Sequence, residues 1–280
     1  MNQNKILICG LPSSGKTSYL AALWYLLFHK EIPTALSLAT LPATRDYLNS
    51  LSKKWTRTVE IDHTPTDEVQ EITLRLKDEN NVVELHIPDM SGETWDHIWV
   101  NRSCAVHAAE WANDAIGIMF FVHSDKIRNA LDIITHNAMI GVEGKDAIDG
   151  ELTEWSPEKS PTQVILVDIL QSLALPPLGN GSRRIAVIIS AWDKAEDAGM
   201  EPEEYLRVHL PLLHQFLRYS DYFTAVKIFG VSAIGGDLLV PAWHINEVSA
   251  SHNGKVVMTA DWGPAVSKKD RKSTRLNSSH

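Results

Sequence analysis

Cysteine is scarce. Cys9 and Cys104 are the only two in 280 residues, far apart and outside any C-x-x-C spacing. They offer neither a disulfide framework nor a cysteine-built zinc site. Long apolar runs are missing as well: none approaches the roughly 20 residues that cross a bilayer. The first strand-like run begins at Ile6, and the expectation is that no signal peptide is present. Basic charge is also short. Lys and Arg number 26 against 35 Asp and Glu, for a formal net charge of −9. Such a balance carries no nucleic-acid or acidic-membrane footprint. The expectation is a cytoplasmic protein with no nucleic-acid and no membrane partner. What is present is ordinary for a globular chain, with 44% hydrophobic and 22% charged residues. The length suits one large domain, with or without insertions.

Against this plain background one stretch stands out, Gly10-Leu11-Pro12-Ser13-Ser14-Gly15-Lys16-Thr17. It follows the apolar run Ile6-Leu7-Ile8-Cys9 and leads into residues 18–29, which read as a helix. Strand, G-x-x-x-x-G-K-T, helix is the arrangement that wraps the phosphates of a nucleotide. Gly10 and Gly15 permit the tight backbone path and the close approach of phosphate oxygens. Successive N–H groups and the positive end of the helix form an anion-binding nest. Lys16 would reach the β- and γ-phosphates, and the Thr17 hydroxyl would ligate Mg2+. Gly10, Ser13, Ser14, Gly15, Lys16, Thr17 and Ser18 are the expected phosphate-site residues.

Further on, apolar and turn signals alternate as in βα units. Residues 46–55 carry Tyr47, Leu48 and Leu51 at helical spacing. Residues 69–76 alternate apolar and polar, and with residues 82–87 they read as an antiparallel hairpin. Residues 94–113 place Trp95, Ile98, Trp99, Val106 and Trp111 at roughly helical intervals, which suits core packing or a partner surface. Residues 115–122 and 185–189 are continuous apolar runs, expected of buried parallel strands. Residues 161–175 and 201–219 read as helices, the second despite Pro211, and 224–229 as a last strand. Residues 129–160, with Gly141, Gly144, Gly150 and Pro157, read as an irregular insertion. One domain is expected over 1–262, and a disordered tail over 263–280. Residues 268–280 carry five basic residues and one acidic, so the rest of the chain stands at −13. Within them Lys272-Ser-Thr-Arg-Leu-Asn-Ser-Ser-His280 resembles a translated sequencing-adapter tail, the alternative being an ordinary basic end.

The second apolar strand ends in Pro88-Asp89-Met90-Ser91-Gly92-Glu93, which resembles the second half of a P-loop GTPase site. The resemblance implies that Asp89 holds Mg2+ through a water and that the Gly92 N–H meets the γ-phosphate. It also implies a Thr before the hairpin that closes onto the metal. Thr64 and Thr66 both lie there, and Thr66 is nearer the strand. Arg57 reads either as a charge-stabilising arginine or as a solvated surface residue. Glu93 stands where many relatives carry the Gln that orients the attacking water, which implies slow turnover. After the 185–189 run comes Ser190-Ala191-Trp192-Asp193-Lys194, resembling the N/T-K-x-D base motif with its first two residues replaced. Asp193 would accept two hydrogen bonds from guanine N1 and N2. The Lys that flanks the purine is missing, which leaves guanine selectivity open. Ser232-Ala233 resembles the S-A-x loop whose backbone N–H meets the guanine O6.

These ordered motifs resemble a Ras-like P-loop GTPase. The run Gly15-Lys16-Thr17-Ser18-Tyr19-Leu20-Ala21-Ala22-Leu23-Trp24 is more narrowly similar to class 2 of the bacterial double GTPases. So are Pro88–Glu93 and Ser190–Asp193. That resemblance implies an α/β fold, a mostly parallel doubly wound sheet with one antiparallel edge strand. It further implies a GTP/GDP-binding, Mg2+-dependent, slowly hydrolysing switch that works with partner proteins of a multi-gene defence system. Two rival readings stay open: an ATPase or phosphotransferase on the same loop, and a non-hydrolysing nucleotide-bound scaffold.

Overall fold

The computed structural model describes residues 4–30, 33–57, 72–87, 93–130, 156–179, 181–196 and 199–234. Strand β1 (Asn4–Gly10) runs straight into the Gly10–Lys16 loop and helix α1 (Lys16–His29). Then come β2 (Ser37–Leu38), α2 (Arg45–Thr56), and the hairpin β3 (Ile72–Lys77) and β4 (Val82–Ile87). Helices α3 (Glu93–Asn101) and α4 (Val106–Asp114) precede β5 (Gly117–His123). The remainder is α5 (Thr162–Ala174), β6 (Arg183–Ser190), α6 (Trp192–Glu196), α7 (Pro202–His209), α8 (Pro211–Tyr219) and β7 (Phe223–Val231).

Among the described residues seven strands form one sheet in the order β2-β3-β4-β1-β5-β6-β7. Strand β1 lies parallel to both β4 and β5, and β5-β6-β7 continue in parallel. Strand β3 is antiparallel to β4, and β2 is antiparallel to β3. The sheet is thus mostly parallel with its reversed strand near one edge, as the hairpin signal implies. At that edge the outermost strand is β2, which two residues are too few to announce in a sequence.

Alternation along the central strands sorts the core into two layers. Leu7 and Cys9 of β1, Ile118, Phe120 and Val122 of β5, and Ile185, Val187 and Ile189 of β6 face one layer. It is filled by Trp95, Ile98, Ile165, Ile169, Leu206 and Leu213 from the helices on that side. Ile8, Met119, Phe121 and Ile188 face the other layer, with α1, α2 and the inner side of the hairpin. Strands buried on both faces read as unbroken apolar runs, and this is why they were legible. Helix α1 is apolar around most of its circumference and is correspondingly covered twice, by the sheet and by α2. The Trp24 indole N–H donates to Asn49 Oδ1 at 2.9 Å, and the Tyr25 and Trp55 rings lie 5.2 Å apart.

Two expected helices are each divided. The 94–113 segment breaks after Asn101, where Arg102 takes φ 54 and its N–H closes on Ile98 O at 3.2 Å. The Arg102 guanidinium pairs with Asp168 of α5 and sits 5.0 Å over the Trp99 ring. Val106, counted in the apolar stripe, opens the second helix and is 76% exposed. The 201–219 segment breaks at Leu210 (φ −134, ψ 56), and Pro211 starts α8. Proline suits that first helical position because its missing N–H is not needed there. The expected insertion 129–160 falls mostly, and the tail wholly, outside the described residues.

Candidate functional site

The loop between β1 and α1 takes its shape from two glycines. Gly10 has φ 150, and a Cβ there would stand 2.6 Å from the Phe121 carbonyl oxygen and 2.8 Å from Ser14 Oγ. Gly15 has φ 89, and a Cβ would fall 2.8 Å from Ser190 Oγ. Neither position tolerates a side chain without displacing its surroundings. Ser13 also lies in the left-handed region at φ 57, and the Ser14 N–H closes a turn on Leu11 O at 3.2 Å. Lys16 is 3% exposed, its ammonium turned back into the loop. It donates to Gly10 O at 2.8 Å, Leu11 O at 3.0 Å and Ser14 Oγ at 3.3 Å. Thr17 and Ser18 follow on the first turn of α1, both half-buried. Cys9 lies directly before this loop, fully buried, and burial pushes its thiol up to about 12. A thiol held that high is inert near neutral pH.

The carboxyl end of β6 is fastened to the same loop. Ser190 Oγ donates to Ser14 O at 2.7 Å and lies 3.4 Å from Val122 O. Ser190 thus ties three segments together: the loop, the end of β5 and its own strand. Ser124 adds a second tie, its hydroxyl donating to Ala191 O at 2.8 Å. Ala191 takes φ 50, turning the chain into the short helix α6 that carries Asp193. Ser232, just past β7, donates its hydroxyl to Asp193 Oδ1. Asp193, Ser232 and Ala233 are therefore brought together at the carboxyl ends of β6 and β7. Trp192 points away from them. Its ring, 9% exposed, lies flat on Gly230 and 5.5 Å from Tyr205, edge-on. It belongs to the core and supplies no flank for a purine.

The remaining expected residues divide. Glu93 is the first residue of α3 and is exposed there. A carboxylate at a helix N-terminus sits favourably in the helix dipole. Thr64, Thr66, Asp89 and Gly92 lie outside the described residues. Among the described residues no group of three His, Cys, Asp or Glu side chains is placed to hold a metal ion. A hydroxyl such as that of Thr17, completed by phosphate oxygens and carboxylate-held water, is a hard-oxygen donor set of the kind Mg2+ takes. Two residues of this region escape a motif reading. Ser190 occupies the first place of the degraded base motif, and only the fold shows its bond to the loop. Trp55, at the end of α2, donates its indole N–H to Ala233 O at 2.8 Å.

Ser190→Ala removes the 2.7 Å bond and leaves the Ser14 carbonyl unpaired in a buried place. The expected cost is about 1–2 kcal/mol. A chain of this size then melts several degrees lower, by about 2–4 °C per kcal/mol. Scanning calorimetry of wild type and variant checks this, and an unchanged melting temperature would show the tie to be idle.

A model of the Double-GTPase 1 family matches residues 7–261. The chain belongs to that family. Its members are GTPases, and the glycine loop, Lys16 and Asp193 all fall inside the matched span. The double-GTPase resemblance holds; the matching model is that of class 1, where the quoted motifs resemble class 2. No curated protein matches the chain. Among solved structures it is similar to a bacterial selenocysteine-specific elongation factor, at 13% identity and TM-score 0.35. That match covers 90% of this chain and 28% of the other. It is similar also to the Saccharomyces cerevisiae Ski7 GTPase-like domain bound to GTP, at 11% identity and TM-score 0.40. There the coverage is 92% of this chain and 51% of the other. A third is Aquifex aeolicus Era bound to GDP and aluminium fluoride, at 16% identity and TM-score 0.36, covering 94% and 60%. This double-GTPase chain therefore spans about a quarter to three-fifths of the length of these structures. No helix among the described residues is long and apolar enough to cross a membrane.

Proposed function

We propose that the chain is a Mg2+-dependent GTP-binding switch that hydrolyses GTP slowly and acts through partner proteins. The observation that carries this is the joining of two half-sites. The Gly10–Lys16 loop and the Asp193–Ser232 pair lie at the carboxyl ends of parallel strands β1, β6 and β7, with only β5 between β1 and β6, and Ser190 bonds one to the other. The carboxyl ends of parallel strands are where open α/β sheets take their ligands. Lys16 would meet the β- and γ-phosphates, with the backbone N–H groups of Ser13 to Ser18 around them. Ser232 fixes one oxygen of Asp193, so the carboxylate is presented in one orientation to the N1–H and 2-amino group of guanine. Mg2+ bound by Thr17, Thr66 and water on Asp89 would neutralise charge on the β- and γ-phosphates. Thr66 and Gly92 would follow the γ-phosphate, and Glu93 would orient water less well than an uncharged amide, because its charge opposes the phosphate. Membership of a defence system, with neighbouring gene products as partners, rests on the family resemblance.

A second reading keeps support from one observation. Ala191 stands where a purine-flanking Lys is expected and Trp192 is turned into the core, so an ATPase or phosphotransferase would find the base site loosely built. Competition among GTP, ATP and xanthosine triphosphate separates the two. A carboxylate that meets only a two-donor edge leaves ATP with an unpaired acceptor. Asp193→Asn should lower GTP affinity by about 10- to 100-fold and raise the relative preference for xanthosine triphosphate. Equal binding of ATP and GTP by wild type, unmoved in the variant, would transfer the assignment to the ATPase reading.

A further inference from the structure

We infer that Trp55 is a specificity-determining residue that positions the Ser232-Ala233 loop against the six-position of the nucleotide base. The inference rests on the GTP-site reading above and adds to it a residue outside every nucleotide motif. Three observations carry it. The Trp55 indole N–H donates to the Ala233 carbonyl at 2.8 Å, across 178 residues of chain. Trp55 is 6% exposed and packs against Tyr25 of α1 at 5.2 Å, so its ring is fixed and the donor has one direction. Ser232, the neighbour of Ala233, is itself 7% exposed and held by Asp193. The loop is therefore pinned at consecutive residues, through Ser232 to the carboxylate and through Ala233 to α2.

The chemistry gives this pin its role. A backbone N–H that meets a base oxygen discriminates only if its direction is fixed before the base arrives. Ala191 stands where a long side chain is expected, and the Trp192 ring is turned into the core against Gly230 and Tyr205. The in-plane contacts of Asp193 and of the Ala233 N–H must then carry the selection. The carbonyl of Ala233 bonded to Trp55 holds the residue whose N–H faces the six-position oxygen. Helix α2 ends at Thr56, and the chain then enters residues 58–71, which contain Thr64 and Thr66.

Trp55→Phe keeps the ring and deletes the N–H, leaving the Ala233 carbonyl unpaired. Wild type and variant are titrated with GTP, with inosine triphosphate, which keeps the six-oxygen and N1–H and lacks the 2-amino group, and with 2-aminopurine riboside triphosphate, which lacks the oxygen and with it the N1–H, a loss common to wild type and variant. The variant should bind GTP and inosine triphosphate about tenfold more weakly, the size of one lost buried hydrogen bond. It should bind the 2-aminopurine nucleotide as wild type does. Equal weakening for all three nucleotides marks a general packing defect and overturns the inference, as does an unchanged GTP affinity. If wild type itself fails to separate GTP from the 2-aminopurine nucleotide, the base-site reading fails and takes the inference with it. A measurement on wild type alone covers a variant that does not fold. The Trp55 indole N–H should exchange with solvent more slowly with GTP bound than with the 2-aminopurine nucleotide, and equal rates would overturn the proposal.

Discussion

Lys16→Ala should abolish tight binding of nucleoside triphosphates while leaving a folded domain. Lys16 is almost wholly buried, and its ammonium already rests on two loop carbonyls and one hydroxyl. These three acceptors match the three N–H donors of the ammonium, so phosphate oxygens would replace some of them while the buried side-chain stem stays in place. Two charge-assisted hydrogen bonds to phosphate at about 1.5–3 kcal/mol each put the loss at about 100-fold or more. The same substitution deletes the donor to the Gly10 and Leu11 carbonyls, the first of them a buried bond, at a cost of about 1–2 kcal/mol. The stability change should accordingly be smaller than the loss of affinity. Titration calorimetry with GTP and GDP, paired with circular dichroism on the same sample, reads both quantities. Wild-type affinity in a folded variant would remove this loop from the function altogether.

Gly230→Ala should be strongly destabilising. A Cβ there would lie 2.3–2.6 Å from three ring atoms of Trp192, closer than any real contact. The ring is nearly buried, so little space is open for it to retreat into. It is 9% exposed and meets Tyr205 edge-on at 5.5 Å, and the Tyr205 hydroxyl donates to Ser124 O at 2.8 Å. Strand β7 cannot move away either, because Gly230 pairs with Ile189 in the parallel ladder. Overpacking of this kind costs about 3 kcal/mol, at the upper end of what extra methylenes impose. That corresponds to about 6–12 °C in melting temperature. Trp192 directly precedes Asp193, so the displaced ring should also degrade selection of the base. A double-mutant cycle isolates the cause: adding Trp192→Leu to Gly230→Ala should recover part of the lost stability. A variant as stable as wild type would mean that the strand end yields more easily than its pairing implies.

The parts of this structure that could be read in advance share a physical property: their signal is local. Strands β5 and β6 are buried on both faces and so are apolar at every position, whatever else the chain does. The glycine loop is legible because the backbone path itself demands Gly10 and Gly15. Division of the helices is harder to see, since Trp95 to Trp111 and Tyr205 to Leu217 keep a plausible period straight through the break. At Arg102 the helix ends through a left-handed turn that no breaker residue announces. At Pro211 the breaker is visible, but a proline can sit inside a kinked helix or begin a new one, and only the Leu210 geometry separates these. The ties that hold the two half-sites together lie furthest from legibility. Ser190 to Ser14 and Trp55 to Ala233 join residues 176 and 178 positions apart, and nothing local to Trp55 distinguishes it from an ordinary core aromatic.

The double cover on α1 bears on how foldedness and ligand are related. The loop before it continues a central strand, and the helix after it is enclosed by the sheet on one side and α2 on the other. Local fraying cannot free the loop without opening both layers, so the species that lacks the loop is close to the fully unfolded chain. Any ligand of that loop then acts by mass action on the whole domain. At a concentration one hundred times its dissociation constant it adds about 2.7 kcal/mol to global stability. That is a sizeable share of the 5–15 kcal/mol that holds a typical domain together. The survival of the chain in a cell would then track the local supply of its ligand, quite apart from anything the ligand signals.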